Sequence, residues 1–255
     1  MGLLHSPLLN TDGLIFNVNA STLKSYPGIG GLWYDISGNG NVLSLLNVPV
    51  AAFNVARDYI TTSKGRAIQF YDVSSNNETY AVGSKTLSLT FPCSIMYWCK
   101  PISSASAVYK GIFRSHSTGE GPHGIHLVVK NDNTVQAGFG RNVFSGNFDD
   151  ATYGNFATTS TTLTPSQWYH LAAVIRGKDN MDVYINGIKQ SVSYTGAGTT
   201  IGNPASTYPG FGRVYQGSNY RYCTFQADDA RIYNRALSEK EIVQAFSTTR
   251  LKLGV

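Results

Sequence analysis

The segment Trp168–Gln190 spells out a β-meander, and no other stretch limits the fold so tightly. Trp168–Arg176 (WYHLAAVIR) is a long, mostly apolar run, Gly177-Lys178-Asp179-Asn180 breaks it, and Asp182–Ile185 leads into Asn186-Gly187 before Ile188-Lys189-Gln190. Asn-Gly is the preferred dipeptide of a two-residue type I′ turn because both residues tolerate positive φ, so antiparallel strands are predicted here. Gly124–Lys130 and Thr134–Phe139 flank Asn131-Asp132-Asn133 as a second expected hairpin, and Asp12–Val18 and Ala67–Phe70 are further strands. In Leu87–Lys100, alternation puts Phe91, Cys93, Ile95, Tyr97 and Cys99 on one face and Ser94, Met96 and Trp98 on the other; bulk on both faces marks an inner strand. With 26 Gly, 16 Tyr and 12 Phe, the composition suits many short aromatic strands joined by glycine turns.

One helix is expected. Ser238-Glu239-Lys240-Glu241 is a capping box and predicts a helix over about residues 239–246. Two stretches, residues 140–164 and 196–224, are rich in Gly, Asn, Ser, Thr and Tyr with little periodicity and read as long loops, which in compact domains are often functional. The 255 residues suit a single all-β domain over residues 12–246, with an N-terminal arm (1–11) and a C-terminal tail (247–255).

The formal charge of +5 comes from lysines and arginines scattered singly, so no segment forms a basic arm for nucleic acid or anionic lipid. No run of 18 apolar residues and no export signal is visible, so neither membrane insertion nor secretion is expected from the sequence. Met1–Ser6 fits a loose myristoylation pattern, and Asn19-Ala20-Ser21 and Asn77-Glu78-Thr79 are formal sequons. Cys93, Cys99 and Cys223 cannot all pair and are expected as buried thiols.

Asp228–Ile242 (DDARIYNRALSEKEI) closely resembles the closing signature of the laminin-G-like jelly-roll family, within the concanavalin A-like lectin/glucanase superfamily. Trp168–Val174 resembles its W-x-H-V-A strand, and Val183–Gly187 its Y-V-N-G hairpin. Asp12–Phe16 and Trp33–Asn41 (WYDISGNGN) are similar to its opening. The resemblance implies a two-sheet antiparallel jelly-roll sandwich, spanning about residues 12–246. A strand from each end of the chain must then pair to close it, leaving Asp228, Arg231 and Tyr233 as sheet and edge residues with structural work. Ala227-Asp228-Asp229-Ala230 stands where the family has I-D-E-V, and the two long Gly/Tyr loops are atypical for it.

Catalytic patterns are absent from the sequence. Glycoside hydrolysis needs two carboxylates roughly 5–9.5 Å apart, yet Glu78, Glu120, Glu239 and Glu241 form no E-x-D-x-E motif, and the paired Asp149-Asp150 and Asp228-Asp229 point to opposite faces when extended. There is no Gly-x-Ser-x-Gly elbow, and Gly28-Ile29-Gly30-Gly31 lacks the rest of a phosphate cradle. His116, His123 and His126 lack a further ligand to complete a zinc pattern.

Asp35-x-Ser37-x-Asn39-Gly40 has the oxygen spacing of a calcium loop, but Leu46 stands where the bidentate Glu belongs, and turn-making side chains explain it better. No cofactor is required; family members hold calcium at the sandwich rim, which makes Asp35, Asp149 and Asp150 the candidate donors for one calcium ion. What remains is recognition by loops. Tyr153, Phe156, Tyr208, Phe211, Tyr215, Tyr220 and Tyr222 lie among small polar residues, a setting that suits glycan stacking or protein contact as well as packing on the domain itself.

The opening motif is similar to single laminin-G-like domains of tailed-phage virion proteins. It implies a non-enzymatic virion structural protein, a fibre, tail adhesin or capsid decoration, carried out of the host cytoplasm in the particle. Such a protein docks on other virion proteins, can form a homo-oligomer, and reaches cell-surface polysaccharide through its loops. The alternative is a free, extracellular carbohydrate-binding lectin domain, and a β-glucanase ranks below both.

Overall fold

The computed structural model describes residues 10–48, 51–52, 58–62, 65–72, 78–102, 109–116, 123–141, 147, 149–203, 208–216 and 219–253. In chain order the strands are β1 (Leu14–Val18), β2 (Leu32–Tyr34), β3 (Val42–Val48), β4 (Ala51–Ala52), β5 (Tyr59–Thr62), β6 (Gly65–Phe70), β7 (Glu78–Gly83), β8 (Cys93–Pro101), β9 (Tyr109–Arg114) and β10 (Gly124–Lys130). There follow β11 (Thr134–Gly140), β12 (Gly154–Thr162), β13 (Tyr169–Gly177), β14 (Asn180–Ile185), β15 (Ile188–Lys189), β16 (Val192–Thr195), β17 (Gly210–Phe211), β18 (Arg213–Gln216), β19 (Asn219–Tyr222), β20 (Phe225–Tyr233) and the helix α1 (Glu239–Leu253).

The strands form two large antiparallel sheets, as the jelly-roll resemblance implies. One has eight strands in the order β15-β14-β13-β8-β20-β6-β5, with β1 also on β20; the other has ten in the order β16-β12-β11-β10-β9-β17-β7-β3-β2, with β4 on β3. A separate hairpin, β18-β19, completes the strands. The two ends of the chain meet in β1 and β20, through Phe16↔Ile232 and Val18↔Ala230. Between the sheets lies an aromatic core. Phe113 stacks on Phe211 at 4.5 Å, Phe70 on Phe225 at 4.8 Å, and Tyr97 meets Phe113 edge-on at 5.8 Å. Full burial of each such ring stabilises the fold by about 1.5–3 kcal/mol.

The meander forms as expected: Ile185 pairs with Ile188 across Asn186 (φ 52°) and Gly187 (φ 77°), the positive pair a type I′ turn needs. The inner-strand alternation also holds, with Tyr97 and Cys99 in the inter-sheet core and Met96 in the cluster beneath α1. The three cysteines are buried free thiols.

Four expectations change. The strand read from Leu87 begins at Cys93. The regions read as loops contain β12, β17, β18 and β19. The helix runs on to Leu253, so most of the tail is helical. Asp228, Arg231 and Tyr233 lie in an inner strand, since β20 has β8 on one side and β6 and β1 on the other. Residues 1–9 of the N-terminal arm, Glu120 and Asn77 lie outside the described residues.

The capping box closes α1, with Ser238 N–H donating to Glu241 Oε2 at 2.8 Å and Arg235 binding the same carboxylate. That arginine, with the capping bonds, draws the Glu241 carboxyl down to about 2. α1 lies on the outer face of the eight-stranded sheet, where Trp98 Nε1 donates to Thr249 Oγ1 at 2.7 Å and Phe246 packs on Trp98 and His170. Beside them is a buried ion pair, Arg231 Nη2 to Asp229 Oδ2 at 2.6 Å. Asp229 occupies a β-bulge with φ 46°, a left-handed conformation that Asp tolerates better than most residues.

Candidate functional site

In an antiparallel hairpin, directly opposed residues share a face. Register pairs Arg213 with Tyr222 and Tyr215 with Tyr220, so these four side chains lie on one side of β18-β19. Val214 and Arg221 lie on the other, where Val214 enters the core while Arg221 stays exposed. Gly212 (φ 85°) makes the turn that swings the chain out of β17 into this hairpin; a Cβ there would stand 2.7 Å from the Thr79 carbonyl oxygen.

The polar, aromatic face meets Tyr80 of β7. The Arg213 guanidinium lies 3.9 Å from the centroid of Tyr80 and 4.4 Å from that of Tyr220, so two rings hold it in place. Tyr80 also meets Tyr222 at 6.0 Å, and Tyr215 meets Tyr220 edge-on at 5.2 Å. Tyr220 is 37% exposed, whereas Tyr222 is buried and Tyr80, Arg213 and Tyr215 are half-buried.

The same outer face of the ten-stranded sheet carries a row of opposed residues, running Val82, Gly210, Arg114, His126, Gly138, Phe156 and Thr195 across seven strands. A Cβ on Gly138 would stand 2.5 Å from Phe156 and 2.6 Å from His126, so only glycine lets those two rings meet over the strand at 5.5 Å. Arg114 is fully buried. Its guanidinium is pushed down to about 9 by burial and by Arg213, against the phenols of Tyr109 and Tyr220, which favour its charge. Burial, with the Arg114 charge beside them, pushes His116 down to about 3, His123 to about 4 and His126 well below the ordinary imidazole range. All three are therefore neutral at pH 7.

Of the seven aromatic residues expected at a binding surface, the structure brings Tyr215, Tyr220 and Tyr222 together. Tyr153 stands apart with Arg141, whose guanidinium lies 4.7 Å over its ring, and Tyr208 is half-buried ahead of β17. Phe211 and Phe156 are corrections. Phe211 is fully buried because β17 turns it inward against Phe113, and Phe156 is buried over His126, so neither ring offers a surface to a ligand. Sequence reasoning missed Tyr80, Arg114 and Arg213, although the period-two pattern Arg213/Tyr215 and Tyr220/Tyr222 was visible.

The candidate calcium donors are separately engaged. Asp35 accepts from the N–H groups of Asn17, Ser37 and Asn41 and from the Ser37 hydroxyl, which ties the WYDISGNGN turn to β1. Asp149 accepts from Tyr109 Oη at 2.9 Å, and Asp150 from Thr152 N–H at 2.8 Å. Among the described residues, no three His, Cys, Asp or Glu side chains are grouped to hold a metal ion. A cavity of about 20 Å³ under α1, lined by Arg231, Tyr233 and Glu241, is the size of one water. No described helix is long and apolar enough to cross a membrane.

With this architecture the chain belongs to the concanavalin A-like lectin/glucanases superfamily: the Laminin_G_3 family model matches residues 65–243. Solved structures share the fold at low identity. The binding domain of Paraclostridial Mosquitocidal Protein 1 aligns with a TM-score of 0.60 at 16% identity, over 92% of this chain and 52% of that one. A Trypanosoma rangeli sialidase mutant with trans-sialidase activity aligns at 0.57 and 13%, over 96% and 34%. Domain 4 of AbnA, an extracellular GH43 arabinanase from Geobacillus stearothermophilus, in complex with arabinotriose, aligns at 0.55 and 14%, over 92% and 98%. The chain thus spans about half of the first and a third of the second, but nearly all of the third. No curated protein matches in sequence.

Proposed function

We propose that the chain is a non-catalytic carbohydrate-binding module that uses the face formed by Tyr80, Arg213, Tyr215 and Tyr220, with the buried Tyr222 packed on Tyr80. The observation that carries this reading is the exposed Tyr220 ring, fixed edge-on by Tyr215 and backed by the Arg213 guanidinium. A rigid aromatic plane with phenol and guanidinium donors at its rim offers a sugar both stacking and hydrogen bonds at little entropic cost. The arabinanase domain, matched over nearly its whole length and crystallised with arabinotriose, supports the reading by analogy of fold. A virion-borne adhesin would present the same face; that placement rests on the sequence resemblance alone, whereas the lectin reading also has this surface.

The test is affinity electrophoresis of the full chain through gels containing neutral and acidic polysaccharides. At least one should retard it, and Tyr220→Ala should weaken that retardation about tenfold with the fold intact by circular dichroism. Retardation by none of them, or equal retardation of the variant, overturns the reading.

A further inference from the structure

The charge at this face narrows the ligand. Three other arginines, Arg176, Arg231 and Arg235, each hold a carboxylate at 2.5–2.7 Å. Arg213 has no such partner among the described residues, and its Nε is buried with no hydrogen bond. One of its other N–H groups donates to the Tyr222 phenol. Tyr80 and Tyr220 both pack against the guanidinium, so what it can still offer is the rest of its edge, N–H groups that fit the oxygens of a carboxylate or sulfate. A second guanidinium, the buried Arg114, lies near enough for the two charges to oppose one another.

We infer that Arg213, held by the rings of Tyr80 and Tyr220, anchors an oxyanion group, carboxylate or sulfate, of an acidic polysaccharide. This rests on the carbohydrate-binding reading and specifies its ligand class. The rings keep the guanidinium edge oriented before ligand arrives, and an anion placed there is attracted by Arg213 in a partly desolvated setting. Neighbouring sugar rings would then meet Tyr220.

The test uses the full chain with four soluble probes: hyaluronate, carboxyl-reduced hyaluronate, dextran sulfate and neutral dextran. Titration calorimetry should show hyaluronate or dextran sulfate binding at least about tenfold tighter than its uncharged counterpart, and the stronger of the two identifies the group as carboxylate or sulfate. Arg213→Gln should lose that preference while melting within about 2–4 °C of the parent. Arg221→Gln removes the same charge from the opposite face of the hairpin and should bind as the parent does. Equal binding of charged and neutral probes, or an equal loss from both variants, overturns the oxyanion anchor while leaving carbohydrate binding in place. No binding of any polysaccharide, neutral ones included, overturns both.

Discussion

Both sheets carry an arginine cluster on the face turned away from the core, and the two clusters are built differently. On the eight-stranded sheet, Arg231 is closed in by Asp229 at 2.6 Å and lies beneath α1 with Trp98, His170 and Phe246 beside it. Against the ten-stranded sheet, Arg213 of the separate β18-β19 hairpin is held by the rings of Tyr80 and Tyr220, with no ion-paired carboxylate among the described residues. A carboxylate satisfies both the charge and the hydrogen-bond donors of an arginine, whereas rings steady the charge and, with Tyr222 as one acceptor, leave other donors such as Nε unmet. The first arrangement is a finished piece of scaffold. The second still has bonds to give.

The sharpest way to break this comparison is Asp229→Asn, which keeps a residue tolerant of positive φ and removes the charge. Stranding Arg231 should cost about 3–5 kcal/mol in urea unfolding. A loss below about 1 kcal/mol would mean that the pair does not hold this face.

Acid probes both faces at once. His116, His123, His126 and His170 all have folded pKa values below the unfolded value, so as pH falls below 6.5 the unfolded chain takes up protons that the folded chain refuses. Each should cost about 1 kcal/mol between pH 6.5 and 5.5. Asp228, raised to about 7 by burial and by Asp229, works the other way, because the folded chain binds its proton first. Four histidines against one aspartate leave a net loss, and the urea midpoint should fall steadily from pH 7 to 5; a flat profile would show that these imidazoles are protonated inside the fold.

Thr249→Val tests the roof of the first cluster. It strands the buried Trp98 N–H and should cost about 1–3 kcal/mol, read as a lower thermal midpoint. Smallest of all, Arg213→Gln should cost only about 0.5–1 kcal/mol, because the rings that hold this guanidinium need no counter-charge. A loss as large as that of Asp229→Asn would make Arg213 scaffold as well.

The scaffold was far more legible in the sequence than the site. Asn186-Gly187 fixes its turn through backbone preference, and the Ser238/Glu241 capping box marks the start of α1, both local effects that a few residues decide. The β18-β19 hairpin has only four residues per strand, with Arg and Asn among the tyrosines, so composition suggested a loop. Tyr80 belongs to the site only because Phe211 pairs with Ala81 and sets β17 beside β7. Phe156 and Phe211 show the same limit. In sequence they resemble Tyr220, and register alone sends one over His126 and the other into the core.

The position of β20 also bears on how the molecule is made. Within the eight-stranded sheet it is the link between β15-β14-β13-β8 and β6-β5, and β1 pairs with it as well. During synthesis β8 must therefore wait with one edge open until residues 225–233 leave the ribosome, and β1 waits longest. Closing contacts of such sequence separation is slow, on the order of milliseconds to seconds. An open inner strand such as CSIMYWCKP is meanwhile exposed to pairing with other chains. Expression of a chain cut before Phe225 should yield aggregate rather than a folded fragment.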